Sequence, residues 1–219
     1  MKTILYFATV TSLLSLSCTK NNVHPSDSSL TDSFPNKVGD QWVYKVTDSL
    51  KNITDTVTVT ITGTLSDPIS GRTFTVWQYQ WPDKTDTQYV SIIADTIRFY
   101  YQLNNPVIAN VYIFPLIVNN TYSSNSYFSF GLLDNLKVLS SFTSTITLGS
   151  VIQQVPTFQV EKMFLTPYAS PIRRFYVITD NFAPDIGIIK QTLNNLVGEV
   201  GKEMTTNIET WELVYWHLI

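Results

Sequence analysis

Residues 55 to 65 read DTVTVTITGTL, a stretch in which apolar and polar side chains alternate strictly. Val57, Val59 and Ile61 fall on one side of an extended chain, and the intervening threonines fall on the other. A period of two residues is typical of a β-strand with one face buried and the other in water. β-branched residues also fit the pleated surface of a sheet. The stretch therefore predicts a half-buried strand.

Comparable runs recur along the chain at short intervals. They cover residues 41–46, 72–81, 87–93, 96–103, 110–118, 141–148, 157–165, 173–179, 187–193 and 210–218. Turn-forming residues separate them, and Ala94–Asp95 suggests a tight hairpin. Only residues 131–139 and 194–204 could hold a helical turn. The pattern predicts an all-β fold with little helix, in which an antiparallel meander forms a curved sheet, a half-barrel or a sandwich.

Composition places limits on size and partners. The chain has 219 residues, of which 44% are hydrophobic and 13% aromatic, so residues 34–219 can form a single β domain with a substantial core. Its 14 basic and 17 acidic residues give a formal charge of −3. Because the basic residues are scattered, apart from Arg173–Arg174, no electrostatic footprint for nucleic acid is present.

The N-terminus has the layout of a secretory signal. Lys2 supplies a positive charge, residues 4–16 carry none, and the small residue Ser17 precedes Cys18. This apolar run is shorter than the ~20 residues that a membrane-spanning helix needs. Residues 1–17 are therefore predicted to be a signal peptide that is removed from the mature protein.

Cys18 is the single cysteine of the chain. The sequence LLSLSC that ends in it resembles the lipobox of bacterial lipoproteins, although Ser15 stands where that motif usually has leucine. The resemblance implies that Cys18 is lipidated with acyl chains such as palmitate and becomes the first residue after cleavage. Thr19, rather than Asp, follows it, which resembles the outer-membrane sorting pattern and implies a periplasm-facing outer-membrane lipoprotein. The alternative is an ordinary secretion signal with an incidental cysteine.

The polar, serine-rich residues 18–33 follow the lipidation site. Such a segment buries too little apolar surface to offset its ordering entropy. We expect a flexible tether that holds the β domain off the membrane, with the lipid as the membrane-binding element. His24 lies within this tether, where a solvated side chain is the expectation.

Two segments 80 residues apart share a pattern. FPNKVGDQW (34–42) and FPLIVNNTY (114–122) both have Phe-Pro, then Val, a turn pair and an aromatic at equal spacing. The pattern indicates either a structural repeat or a coincidence between two turn-rich strand entries.

A family resemblance rests on FPNKVGDQWVYKV near the start, with FAPDIGIIKQTL and WELVYW near the end. This frame resembles uncharacterised envelope lipoproteins of Gram-negative bacteria. Some members of that class are similar to the lipoprotein-carrier fold, which implies an open curved β-sheet around an apolar cavity. The motifs are structural and imply no catalytic residues.

Motifs for catalysis are absent from the sequence. Outside the tether the chain has one histidine, His217, and no Walker loop, zinc-protease motif or EF-hand loop. We therefore expect no enzyme activity, no metal site and no cofactor. The carboxylates Glu199, Glu203, Glu209 and Glu212 cluster in sequence and leave a glycan hydrolase as the least favoured alternative.

Aromatic side chains are the candidate binding residues. Trp77, Tyr79 and Trp81 share one face of a predicted strand, and Phe99 and Tyr101 share a face of another. These rings predict either core packing or a platform for an apolar, glycan or protein partner. The leading interpretation is a lipid-anchored, non-enzymatic envelope protein whose β domain binds a ligand or partner. The second is a structural or accessory subunit of an envelope complex.

Overall fold

The computed structural model describes residues 34–68, 70–103, 108–122, 127–128, 131–148, 151–165, 173–198 and 204–219. The predictions for the signal peptide, Cys18, the tether, Glu199 and Glu203 lie outside these residues. Over the described ranges the chain forms thirteen β-strands and no helix, so no helix there has the length and apolarity to cross a bilayer.

The strands, in chain order, are β1 (Gln41–Asp48), β2 (Ile53–Ser66), β3 (Thr73–Gln80), β4 (Thr85–Ile93), β5 (Thr96–Tyr100), β6 (Ile108–Ile113), β7 (Thr121–Tyr122), β8 (Tyr127–Phe128), β9 (Gly131–Leu148), β10 (Val151–Leu165), β11 (Arg173–Ala183), β12 (Gly187–Gly198) and β13 (Met204–His217). The predicted hairpin at Ala94–Asp95 joins β4 to β5, and Ala94 takes a positive φ of 50° there.

The strands form one sheet that curls back on itself. Sequential strands pair antiparallel from β1 to β6 and from β9 to β13, and β13 pairs with β1 along eight residues. The ring is completed weakly, because β6 meets β8 at a single parallel bridge and β8 pairs with β9. The predicted all-β antiparallel meander is confirmed, and the sheet is a nearly closed barrel shape.

Residues 131–139, which could have held a helical turn, instead begin the long strand β9, and this prediction was wrong. Two register shifts against β10 leave Asp134 and Leu139 as unpaired bulge residues. A bulge adds one residue to the alternation, so the buried Leu133 and Leu136 are three residues apart. Apolar residues three positions apart are also typical of one face of an α-helix, which is why this segment resembled a helix in the sequence. Likewise, 194–198 belong to β12, and residue 204 begins β13.

The two Phe-Pro segments adopt the same turn. Gly39 N–H donates to Ile61 O at 2.8 Å and Ile61 N–H to Asp40 O at 3.0 Å. Eighty residues later, Asn119 N–H donates to Val138 O at 2.8 Å and Val138 N–H to Asn120 O at 3.0 Å. Gly39 and Asn119 both have positive φ, at 102° and 71°. The sequence echo is therefore a local structural repeat, and each copy precedes a meander that supplies one half of the barrel.

The early and late motifs of the sequence frame meet in the core. Trp42 is 1% exposed, and its Nε1 donates to the carbonyl of Ile186 at 2.6 Å. Gly187 has a φ of +98°, and a Cβ added to it would lie 3.7 Å from Trp42 Nε1. The predictions that Trp42 is a core residue and that residues 183–190 form a bend with a positive-φ glycine are both confirmed.

Candidate functional site

A cavity of about 620 Å³ lies inside the curved sheet. Its lining is dominated by nine aromatic side chains: Phe34, Trp42, Tyr44, Trp77, Tyr79, Trp81, Phe99, Tyr101 and Trp211. Smaller apolar residues fill the spaces between them, namely Val59, Ala109, Ile178, Gly187, Ile188 and Leu193. The polar lining residues are Lys84, Asp86, Thr87, Gln88, Gln102, Asn110, Gln191 and Glu209.

The deep end of the cavity is a stack of buried rings. Trp77 lies against Trp42 at 4.7 Å between ring centroids and against Phe34 at 5.8 Å, in both cases nearly parallel. Phe99 meets Trp77 edge-on at 5.3 Å. Asn36 fixes the orientation of Trp77, since its Oδ1 accepts the indole N–H at 3.0 Å. The rings at this end therefore pack against one another and leave little of their surface exposed.

The predicted ladder of Trp77, Tyr79 and Trp81 runs from this core toward solvent. Trp77 is 6% exposed and belongs to the hydrophobic core, whereas Tyr79 and Trp81 are half-buried and pack against it. Tyr79 donates its hydroxyl to Gln88 Oε1 at 3.1 Å, and burial raises its pKa well above the usual value. All three rings line the cavity, so the ladder is core at one end and cavity wall at the other.

Phe99 and Tyr101 continue the wall on the other predicted strand. Phe99 is 2% exposed, while Tyr101 lies just beyond β5 and is 42% exposed. Both line the same cavity as the ladder. The structure therefore brings the five aromatic residues singled out in the sequence to one cavity.

Trp211, on β13, is a cavity residue that sequence reasoning missed. Its ring meets Tyr44 at 5.6 Å and Trp81 at 5.4 Å, both edge-on, and Tyr79 at 6.4 Å. It thereby connects the last strand to the ladder across β1 and β2. The signal was available in the alternation of TWELVYW, where Trp211 and the buried Leu213 share a face.

The opening of the cavity carries charged side chains. The Lys84 ammonium pairs with Asp86 at 2.7 Å and lies 5.1 Å from the centroid of the Trp81 ring. Trp81 Nε1 is buried beside the cavity and has no hydrogen-bond partner among the described residues.

A buried polar cluster contacts two cavity-lining residues, Asn110 and Gln191. Lys162, on β10, and Asp180, on β11, form an ion pair in which both side chains are fully buried. Lys162 Nζ also donates to Asn110 Oδ1, and it lies 3.8 Å from the centroid of the Tyr112 ring. Asp180 accepts further hydrogen bonds from the Tyr112 hydroxyl and, at 2.7 Å, from Gln191 Nε2.

Burial governs the ionisation of this cluster. Desolvation lowers the pKa of Lys162, and the Asp180 carboxylate opposes that shift. Burial raises the pKa of Tyr112 well above its ordinary value, and the neighbouring Asp180 charge adds to the effect. Burial likewise raises the pKa of Tyr44, whose hydroxyl donates to Ile188 O at 2.9 Å. The tyrosines are therefore neutral hydrogen-bond donors at physiological pH.

Two carboxylates, Asp86 and Glu209, line the cavity, and each is engaged by a neighbour. Asp86 pairs with Lys84, and Glu209 accepts the indole N–H of Trp211. Glu212 pairs instead with Lys190 at 2.9 Å, and that hydrogen bond lowers the pKa of Glu212. Over the described ranges no group of three His, Cys, Asp or Glu side chains is arranged to hold a metal ion.

Comparisons with known proteins give fold-level likenesses. No family model and no curated protein matches the chain. One similar solved structure is described as a "putative exported protein with YmcC-like fold" from Bacteroides fragilis; it is 11% identical, with a TM-score of 0.48. Another, a "putative lipoprotein" from Parabacteroides distasonis, is 12% identical, with a TM-score of 0.45. Each alignment covers 84% of this chain and 98% of the other. At these scores neither likeness identifies a family or a ligand for this chain.

Proposed function

We propose that the protein is a lipid-anchored envelope protein whose β domain binds a small molecule in the aromatic cavity without chemically changing it. The cavity itself carries the proposal. Its volume of about 620 Å³ lies within the ~300–1,000 Å³ that is typical of small-molecule sites. Its lining also has the usual composition of such sites, mostly aromatic and apolar with a few placed polar groups.

The packing of the rings supports binding rather than simple core filling. Protein interiors are normally close-packed, and large aromatic side chains would be expected to fill the space that they surround. Here Tyr79, Trp81 and Trp211 hold one another edge-on beside an open volume. Polar side chains in the lining, such as Gln88 and Gln191, add polar contact points for a ligand. An amphipathic molecule with a flat apolar part fits this combination best.

The absence of catalysis is part of the proposal. A glycan hydrolase needs one carboxyl group that acts as an acid and another that acts as a base or nucleophile. The lining carboxylates Asp86 and Glu209 already have partners in Lys84 and Trp211. Hydrolysis of a bound glycoside by the purified protein, lost in Glu209→Gln, would replace this proposal with the enzyme hypothesis.

The anchor is proposed from the sequence around Cys18. The acyl chains would hold the domain at the outer membrane on the periplasmic side, since several chains are needed for stable membrane binding. The tether predicted from the sequence, residues 18–33, would contain 16 residues. A flexible chain of that length has a root-mean-square span of about 20–24 Å. The cavity would therefore work close to the membrane surface.

One surface feature favours the accessory-subunit alternative. Phe142 on β9 and Val151 and Ile152 on β10 are 41%, 60% and 69% exposed. They lie on one long hairpin, with Val151 and Ile152 on opposite faces of β10, and contact with another protein would cover such exposed apolar side chains.

The test is a binding titration with N-phenyl-1-naphthylamine, which fluoresces in apolar sites. The wild-type protein should bind it saturably with a stoichiometry of one. Leu193→Trp, which adds bulk at the cavity wall, should weaken binding at least tenfold, whereas Val214→Trp, at an exposed position on β13, should not. Equal binding by the two variants would place the probe elsewhere, and no binding by the wild type would favour the accessory-subunit alternative.

A further inference from the structure

Two of the amide side chains that line the cavity are oriented by a buried ion pair. Asn110 on β6 and Gln191 on β12 both line the cavity, and both are bonded to the buried pair of Lys162 and Asp180. The pair is fully buried, so it is desolvated at a cost that apolar residues of similar size would avoid. Stability alone therefore does not explain why the ion pair is present. Orienting the two amides that face the cavity does explain it.

Charge decides which atom of each amide faces the cluster. An ammonium group only donates, so the Asn110 atom beside Lys162 Nζ is its oxygen, which also accepts Val111 N–H at 2.8 Å. A carboxylate only accepts, so the Gln191 atom 2.7 Å from Asp180 is its nitrogen. The ion pair therefore removes the freedom of both amides to flip.

The remaining atom of each amide is left for the cavity. Asn110 keeps its NH₂ group; its amide also interacts with the Tyr112 hydroxyl, which leaves at least one of the two N–H donors. Gln191 keeps its carbonyl oxygen, because its hydrogen bond to Asp180 uses the amide nitrogen. The part of the wall formed by Asn110 and Gln191 thus presents a donor from β6 and an acceptor from β12.

We propose that Asn110 and Gln191 determine the specificity of the cavity, and that its ligand is an apolar, ring-containing molecule bearing a group that both accepts and donates a hydrogen bond, such as a carboxamide or a lactam. This inference rests on the proposed ligand-binding function. The carboxamide or lactam of the ligand lies against these two side chains. It accepts a hydrogen bond from Asn110 Nδ2 and donates one to Gln191 Oε1. The apolar rings of the ligand lie along Trp77, Tyr79 and Trp211.

The test compares 2-naphthamide, 2-naphthoate and 2-methylnaphthalene by calorimetry on the full-length protein in a maltoside detergent. The three share one ring system and differ in whether the end group donates and accepts, only accepts, or does neither. Wild-type protein should bind the amide about tenfold more tightly than either of the others, because unpaired buried polar groups penalise the wrong end group.

Variants at the two amides make the assignment specific. Asn110→Leu and Gln191→Leu should each reduce the preference for the amide to less than threefold, with 2-methylnaphthalene still bound in the cavity. Retained binding of that compound also shows that the variant is folded. Gln78→Leu, at an exposed position on β3, is the matched control and should keep the full preference.

Failure of this inference is distinguishable from failure of the proposed function. Equal affinity of the wild-type protein for all three compounds would leave the cavity a binding site but overturn the assignment of Asn110 and Gln191. This result needs only the wild-type protein, so it tests the assignment even if neither leucine variant folds. Binding of none of the three compounds would overturn both the inference and the proposed function.

Discussion

Replacing Lys162 with methionine should lower the free energy of unfolding by about 3–5 kcal/mol. Lys162 and Asp180 are both fully buried, so the carboxylate cannot regain water when its counter-ion is removed. Methionine retains most of the side-chain volume, which limits the contribution of a cavity. In the variant, Asp180 keeps hydrogen bonds from Tyr112 and Gln191 but loses the ammonium. The predicted loss is therefore that of an uncompensated buried charge.

Urea unfolding followed by tryptophan fluorescence measures this loss. The double variant Lys162→Met/Asp180→Leu should recover most of it, because removing both charges removes the desolvation cost along with the attraction. Lys190→Met, which breaks the exposed pair with Glu212, is the control and should cost less than about 1 kcal/mol. A loss below about 1 kcal/mol for Lys162→Met, or a double variant less stable than the single, would refute the reasoning.

Four further predictions concern the core, the late bend, ionisation and the anchor. Trp42→Ala should cost about 3–5 kcal/mol in urea unfolding, since it truncates a fully buried ring; a loss under about 1 kcal/mol would show that the ring is not a core anchor. Gly187→Val should cost about 1–3 kcal/mol in urea unfolding, because φ is +98° there, and the exposed Asp185→Ala should affect ligand binding little; wild-type stability of Gly187→Val together with lost binding in Asp185→Ala would make the bend a site rather than a structural turn. Burial raises the pKa of Tyr79, so its stabilisation is complete below pH 10 and is lost as pH rises toward the folded-state pKa, by up to about 1.4 kcal/mol per pH unit. Urea titrations from pH 9 to 12 should show this loss reduced in Tyr79→Phe, and an unchanged slope would contradict it. Cys18→Ala should prevent acylation and signal removal; mass spectrometry showing normal processing and membrane attachment without this cysteine would rule out the lipid anchor.

The strands were predictable because one face of the sheet is buried almost everywhere. The alternation around Val57, Val59 and Ile61 appears in the structure as three side chains that are at most 1% exposed. The prediction failed at β9 because bulges at Asp134 and Leu139 break the two-residue period. Bulges depend on the partner strand, so a single segment does not reveal them.

The aromatic lining was partly predictable and the polar cluster was not recognised. Trp77 and its neighbours stood out by composition, whereas Trp211 becomes a neighbour of Trp81 only when β13 closes onto β1. Lys162 was not singled out in the sequence. Yet it shares the inward face of its strand with Val160 and Phe164, which are both buried. A charge on the apolar face of an alternating strand is a usable signal, and an inward charge of opposite sign on a second strand strengthens it.

Locating a bound molecule tests the central claim, that the aromatic cavity is a ligand site, most directly. A crystal of the protein soaked with 2-bromonaphthalene would give an anomalous signal from the bromine atom. We predict a single strong peak inside the cavity, with the naphthalene ring packed beside Tyr79 and Trp211. A peak confined to the exposed apolar end of the β9–β10 hairpin, with the cavity unoccupied, would contradict the account.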